Sequence, residues 1–364
     1  VEAYRVEHEP AVREFNARLG RGGVEFRFPE RHRSPSLPPS STAPLWQDYF
    51  VACDDAGVRG GYILKTEQLF AKGEALPAGN YQLPLSEGII ERAYSLVGVK
   101  LLWDALARQD KLYCLGMGGT ERPLPRMLAR LGWAVELVPF YFRVVHAGAF
   151  LKHIRFLRAK PSRAALLDVA AVSGLGSLGL GVWNLCSALR APRLSEKTGC
   201  RRVESFGPAA DRLFSRVLSH YPALFDRRSE ALALKFPVSD ERFRRLLVER
   251  DGELVGWALL TCSQLSGHKQ FGNMKLGAIA DSLALPGFEA SVVGLAYASL
   301  CAEKVDLVVS NQSHARWRQA FRSQGFLEGP SNFALARSPA LRDASGPLSG
   351  LHITRGDGDG PIHL

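Results

Sequence analysis

The sequence predicts an α/β fold of the α+β mixed-sheet kind. It is read as two tandem copies of one domain, each a mostly antiparallel twisted sheet flanked by helices, joined by a helical linker. Three observations predict this. First, one hairpin pattern occurs twice, about 195 residues apart. An apolar run from Tyr49 reaches the turn Asp54-Asp55-Ala56-Gly57 and continues through Gly61; a run from Leu246 reaches Asp251-Gly252 and continues through Gly256. Apolar runs joined by an Asp/Gly turn are a hairpin signature. Second, Ser95-Leu96-Val97-Gly98 and Ser291-Val292-Val293-Gly294 each open a helical stretch at the same offset. Third, a helical run ends in Gly132-Trp133 in the first copy and in Gly325-Phe326 in the second.

The elements follow in order. The first copy reads as a strand at 4–6 and a helix at 10–19 ended by glycines. A proline-rich loop then covers 28–44, where Pro removes backbone donors. Strands at 48–53, 59–70 and 81–85 come next, then a helix at 95–108, a strand at 112–116, a helix at 123–131 and a strand at 135–145. The second copy repeats the order. It has a strand at 202–206, helices at 208–220 and 240–246, and strands at 246–250, 254–262 and 275–285. A helix at 288–303, a strand at 305–310, a helix at 314–323 and a strand at 332–337 complete it. The expected organisation is an N-terminal domain at 1–148, a linker at 149–199, a C-terminal domain at 200–342 and a tail at 343–364.

With 364 residues, 46% of them apolar and 23% charged, the chain has the composition of a globular protein with two cores, which excludes general disorder. A net charge of +10 favours an anionic partner (a phosphorylated cofactor, RNA or an acidic membrane surface) or serves solubility. The six cysteines form no CxxC pair, so no zinc site or disulfide framework is expected and the thiols are read as buried and reduced, in a cytoplasmic setting. The polar opening carries no signal-peptide pattern; a start at Val1 is read as trimming, or as a start inside a longer product. Within the linker, residues 149–160 are basic and amphipathic and 169–189 are uncharged, which suggests a packed helix or a peripheral membrane contact across 149–189. In the tail, Asp357 and Asp359 are too few for a calcium loop, so a flexible or docked tail is expected and no metal.

This order of elements resembles the GNAT superfamily of acyl-CoA N-acyltransferases, over nearly all of the chain as two copies. In that family a strand runs into a loop of pattern Q/R-x-x-G-x-G/A, whose N–H groups and following helix hold the pyrophosphate of acyl-CoA. The resemblance places Ser95, Leu96, Val97, Gly98, Val99 and Lys100 at that loop, with Arg92 adding charge. Ser replaces Gln/Arg, and Lys100 replaces the small last residue. In the second copy Glu289 would oppose a phosphate, so acyl-CoA (acetyl-CoA) is expected on the first copy. The alternative reading is that Gly98 and Gly294 only allow close helix–sheet packing. The family's common tyrosine acid falls on Leu128 and on Phe321, neither of which can give a proton.

Four residues remain as candidates for proton transfer. Glu87 follows the third strand and would act as base if burial raised its pKa, or is a solvated turn residue. Tyr94 lies beside the loop, Asp281 within an apolar strand, and His314 opens the last helix, as a catalytic group or as a cap. Three functions stay open. One is acyl transfer to an amine, an amino sugar or cell-envelope precursor, in a cleft between the halves. Another is FemAB-like transfer from aminoacyl-tRNA, for which the chain lacks a helical hairpin arm. The last is a catalytically degenerate scaffold; a polysaccharide-associated branch of the family also has this look.

Overall fold

Both hairpins form, and their turns explain the residues that mark them. The second closes through Asp251 (φ 51°) and Gly252 (φ 81°), the left-handed pair that suits the twist of a two-residue hairpin. The first pairs Asp54 with Gly57 (φ 121°). The computed structural model describes residues 1–33, 37–38, 43–155, 179, 181–182 and 197–358. It divides into two units, Val1–Leu137 with Ala334–Gly346, and Val138–Phe333 with Pro347–Leu364.

In chain order the first unit contains β1 (Glu2–Ala3), α1 (Glu9–Arg21), β2 (Leu45–Asp54), β3 (Gly57–Ala71), β4 (Glu74–Ser86), α2 (Val97–Arg108), β5 (Leu112–Leu115), α3 (Pro123–Arg130) and β6 (Ala134–Leu137). The second contains β7 (Phe140–Val144), α4 (Ala147–His153), β8 (Thr198–Val203), α5 (Gly207–Val217), β9 (Ala223–Phe225), α6 (Ser229–Lys235), β10 (Phe243–Arg250), β11 (Glu253–Gln264), β12 (Lys275–Ala284), α7 (Glu289–Ala302), β13 (Leu307–Asn311), α8 (Ala315–Ser323) and β14 (Leu327–Gly329). The chain then supplies β15 (Ala334–Arg337) and α9 (Pro339–Ser345) to the first unit and β16 (Leu351–His352) to the second.

The first sheet runs β1-β2-β3-β4-β5-β15-β6, and the second β8-β10-β11-β12-β13-β7-β14. These are mixed sheets flanked by helices, as two GNAT-like domains require. Each copy gives its last strand away. β15 lies antiparallel between β5 and β6, with Ala336 opposite Cys114 and Val135. β7 lies antiparallel between β13 and β14, with Phe142 opposite Val309 and Leu327. The units are therefore not contiguous halves divided near 148 and 200. The single strand expected at 135–145 is two, β6 and β7, parted at Val138-Pro139, where Pro has no N–H to give.

Both faces of β3 are buried. Tyr62 and Leu64 pack under α2 and α3 with Leu101, Leu102, Leu128 and Trp133. The alternate residue Ile63 packs under α1 with Val12, Phe15, Leu19 and Phe28. That is why Tyr62, Ile63 and Leu64 are apolar in succession. Several sequence expectations are corrected. Residues 4–6 are not a strand; β1 is at Glu2–Ala3. No helix occupies 240–246; that stretch leads into β10, and the helix is α6. Among the described cysteines only Cys114 is buried, and Cys53 and Cys200 are exposed. Most of the expected linker helix, the 169–189 run and Asp359 lie outside the described residues. Among the described residues no helix is long and apolar enough to cross a membrane.

The exchanged strand generates a prediction. Ala336→Pro removes a ladder bond inside the first sheet and leaves a buried acceptor unpaired, at a cost of about 1–3 kcal/mol. Amide exchange in β5 and β6 should accelerate roughly tenfold or more, while β10 and β11 keep their protection. Loss confined to the second unit would contradict the exchange.

Candidate functional site

Parallel strands need continuous pairing to satisfy their backbone, and in the first unit that pairing stops early. β4 and β5 pair only at Gly79 with Leu112 and at Asn80 with Tyr113. Among the described residues no further strand pairs with β4 on that side before it ends at Ser86. A bulge accompanies the separation: Leu83 and Pro84 stand opposite the single Tyr62 of β3. Leu83 sits at φ 46°, a left-handed conformation that costs a branched residue about 1–3 kcal/mol and that collects at functional sites.

Beyond β4, two short 3-10 turns, Glu87–Ile89 and Arg92–Tyr94, carry the chain to α2. The loop is tight, since a Cβ on Gly88 would lie 2.5 Å from the Tyr94 carbonyl. No side chain caps α2. Its first backbone bond runs from Lys100 N to Leu96 O, so the N–H groups of Val97, Gly98 and Val99 point out of the helix end. Arg92, Ser95, Leu96 and Lys100 are exposed, and Val97, Gly98 and Val99 half-buried. A Cβ on Gly98 would meet nothing closer than Ser86 Oγ at 3.5 Å, so packing does not demand glycine there. Packing does demand it at Gly60, where a Cβ would sit 2.9 Å from Val97 of α2.

Glu87 is neither a solvated turn residue nor a carboxylate of raised pKa. It is 1% exposed. Arg18 Nε donates to its Oε1 at 2.5 Å and Arg59 Nη1 to its Oε2 at 2.9 Å. Burial pushes the carboxyl pKa up, but the two guanidinium groups outweigh it and the net shift is down. A base of that kind is weak. The Arg59 guanidinium also lies 4.4 Å from the centre of the Tyr94 ring. Glu87 thus ties α1, the first hairpin and the turn beside α2 together, and brings Tyr94 with it. Sequence reasoning missed Arg18 and Arg59, because neither lies in the family-like motif.

The corresponding end of the second unit is occupied by its own chain. β12 and β13 pair in parallel from Leu276 with Leu307 to Ile279 with Ser310 and then separate, again beside a bulge. Into the gap comes the C-terminal segment. Thr354 bridges Gln312, Ser313 N donates to the Ile353 carbonyl at 3.1 Å, and His352 Nε2 meets the Ser282 carbonyl at 2.8 Å. Asp281, predicted as catalytic, lies under this segment. Arg227 Nε donates to Asp281 Oδ1 at 3.1 Å and Arg227 Nη2 to Asp357 Oδ2 at 2.6 Å, all three side chains being fully buried. Lys235 Nζ reaches Asp357 at 3.3 Å. Burial pushes the Asp281 pKa up against the pull of Arg227. Asp357 is therefore a structural counter-ion rather than a cation ligand.

The phosphate-binding turn fails there too. Ser291 lies in the first turn of α7, and from Val292, whose N donates to the Phe288 carbonyl at 3.0 Å, the N–H groups serve the helix. Glu289 sits in the first turn, 5% exposed, and accepts from Gly287 N at 2.8 Å, which fills the anion position with the chain's own carboxylate. A Cβ on Gly294 would lie 2.9 Å from Gln324 Oε1, so this glycine serves packing.

His314 is an N-cap. Its Nδ1 accepts from Arg316 N at 3.3 Å, which leaves the proton of the neutral ring on Nε2. Burial and then Arg316 lower its pKa to about 4. Leu128 and Phe321 are both core residues; Phe321 stacks on Tyr141 with centroids 4.8 Å apart. Among the described residues, Glu2, His8 and Cys53 bring three metal-ligating atoms together at the surface. His8 Nδ1 already accepts from Arg5 N, however, so its Nε2 holds the proton.

No protein-family model matches the chain, and no curated protein matches it. Solved structures do. One is an N-myristoyltransferase of Saccharomyces cerevisiae with bound myristoyl-CoA, at TM-score 0.50 and 10% identity, covering 96% of this chain and 83% of that one. Another is a protein of Enterococcus faecalis V583 described as a probable N-acyltransferase, at TM-score 0.53 and 10% identity, covering 94% of this chain and 73% of that one. At such identity the likeness is one of fold alone: this chain shares the mixed α/β fold of these two structures.

Two stability predictions follow from the second unit. Arg227→Met strips a buried cation from two carboxylates and should cost about 3–5 kcal/mol in urea unfolding; a change under 1 kcal/mol would contradict the network. The folded His314 binds a proton only near pH 4, whereas the unfolded side chain does so near 6.5. Between those values the unfolded state holds more protons, so stability falls as the pH drops. His314→Asn keeps a cap and should flatten that fall between pH 7 and 5; an unchanged slope would show that His314 is not the titrating group.

Proposed function

We propose that the chain is an N-acyltransferase that holds an acyl-CoA at the opened end of β4 and β5 and passes the acyl group to an amine. The observation that carries this reading is the asymmetry between the two copies. In the first, uncapped N–H groups and an open flank at Gly98 meet exposed Arg92 and Lys100. In the second, Glu289 and the segment 351–357 fill the matching places. A diphosphate suits the first arrangement, through the helix dipole and free donors.

In the reaction a neutral amine attacks the thioester carbonyl. A C–N bond forms, the C–S bond breaks, the amine loses a proton to solvent, and the sulfur leaves as a thiol on a proton from Tyr94, whose phenolate regains one from solvent. Orientation supplies most of the acceleration. Glu87 acts as a positioning residue that holds Arg59 and the loop. Tyr94 is the proton donor to the leaving sulfur, in place of the tyrosine that Leu128 replaces. The acceptor is a small amine, an amino sugar or an envelope precursor.

Isothermal titration with CoA and acetyl-CoA tests the cofactor. Wild type should bind one equivalent per chain, and Gly98→Trp should bind none while keeping its melting temperature, because the flank is open. No binding to folded wild type would overturn the reading; transfer from an aminoacyl-tRNA donor would replace it with the FemAB-like one. Tyr94→Phe should lower kcat by about 10²-fold at unchanged KM. An equal loss in KM alone would reduce Tyr94 to a binding residue.

A further inference from the structure

The second unit contains a cation that nothing in the acyl-transfer reading uses. Arg245, on β10, is 5% exposed. Its Nη2 donates to the carbonyls of Phe236 at 2.5 Å and Pro237 at 3.1 Å, just past the end of α6. Among the described residues neither Nε nor Nη1 has a hydrogen-bond partner, and no carboxylate pairs with it. Asp240, which acts on it at longer range, is held by Arg242 at 2.6 Å. Burial accordingly pulls the Arg245 pKa down. A charge on so buried a residue is costly unless it is paired, so a guanidinium that bonds only two carbonyls suits an anion.

Arg245 borders a cavity. A hollow of about 300 Å³ lies among α5, α6 and β10, with Phe206, Leu232, Phe236 and Val238 in its walls and Gly207 at the start of α5. The volume matches the lower end of small-molecule sites, and apolar walls with one charged anchor are their usual composition. The exposed Glu230 also lines it. One buried positive charge beside one exposed negative charge accepts a single anionic group and disfavours a phosphate or diphosphate. We propose that this cavity is a binding site for a small monocarboxylic acid with an apolar body, its carboxylate paired with Arg245 and its chain against Phe206 and Phe236.

The test uses the full chain, with sodium hexanoate as probe and hexan-1-ol as its uncharged counterpart, at constant ionic strength. Calorimetry should show saturable hexanoate binding and at least about tenfold weaker hexanol binding, the difference expected for a charge-assisted hydrogen bond. Arg245→Met should lose the preference for the acid and, having shed a buried unpaired charge, melt no lower than wild type. Ala233→Trp, at an exposed position of α6 that lines the cavity, should abolish hexanoate binding with Arg245 in place. It also keeps the test decisive if Arg245→Met fails to fold. Absent binding, equal binding of acid and alcohol, or binding unchanged in Ala233→Trp would each overturn the proposal.

Discussion

The structure turns on one constraint: where two parallel strands part, the backbone groups between them must find other partners. The two units meet it differently. Beyond Asn80 and Tyr113, among the described residues, no strand continues beside β4 in the first unit. Beyond Ile279 and Ser310 the second draws in its own segment 351–357. Buried amides and carbonyls are almost always paired, and in the second unit the chain's own segment meets that need. The proposed cofactor site lies at the unit where, among the described residues, no such segment enters.

Charge follows the same division. Each unit buries a carboxylate near the end of the parting strand and clamps it with arginine: Glu87 by Arg18 and Arg59, Asp281 by Arg227. In the second unit Asp357, carried in by the C-terminal segment, completes the balance and locks the segment down. In the first, Arg92 and Lys100 stay at the surface together with Glu91. The anion position at α7 is filled by Glu289, while that at α2 is open. A buried ion network is a modest source of net stability but a strict one, because removing one partner strands the others.

Much of this was legible in the sequence. The hairpins showed through their turns, because Asp251-Gly252 can adopt the left-handed conformation the turn needs. The helices α2 and α7 showed through spacing. The strand exchange did not, because β7 and β15 keep their apolar pattern whichever sheet receives them. At the site, Gly98 and Lys100 stood out by motif, and Glu289 by its sign. Glu87 was visible as a residue but not as an ion pair, since Arg18 is 69 positions away. Asp281 looked catalytic because a charge within an apolar strand is rare, and His314 because it opens the last helix. Their roles rest on Arg227 and on the N–H of Arg316, and only the folded chain brings the first of these near.

The most direct test of the division between an open and a closed copy is amide exchange with and without CoA. The account predicts slower exchange across residues 81–100, at the end of β4 and the start of α2, and no change across 279–296. Protection appearing in 279–296, or release of residues 351–357 on adding CoA, would contradict it.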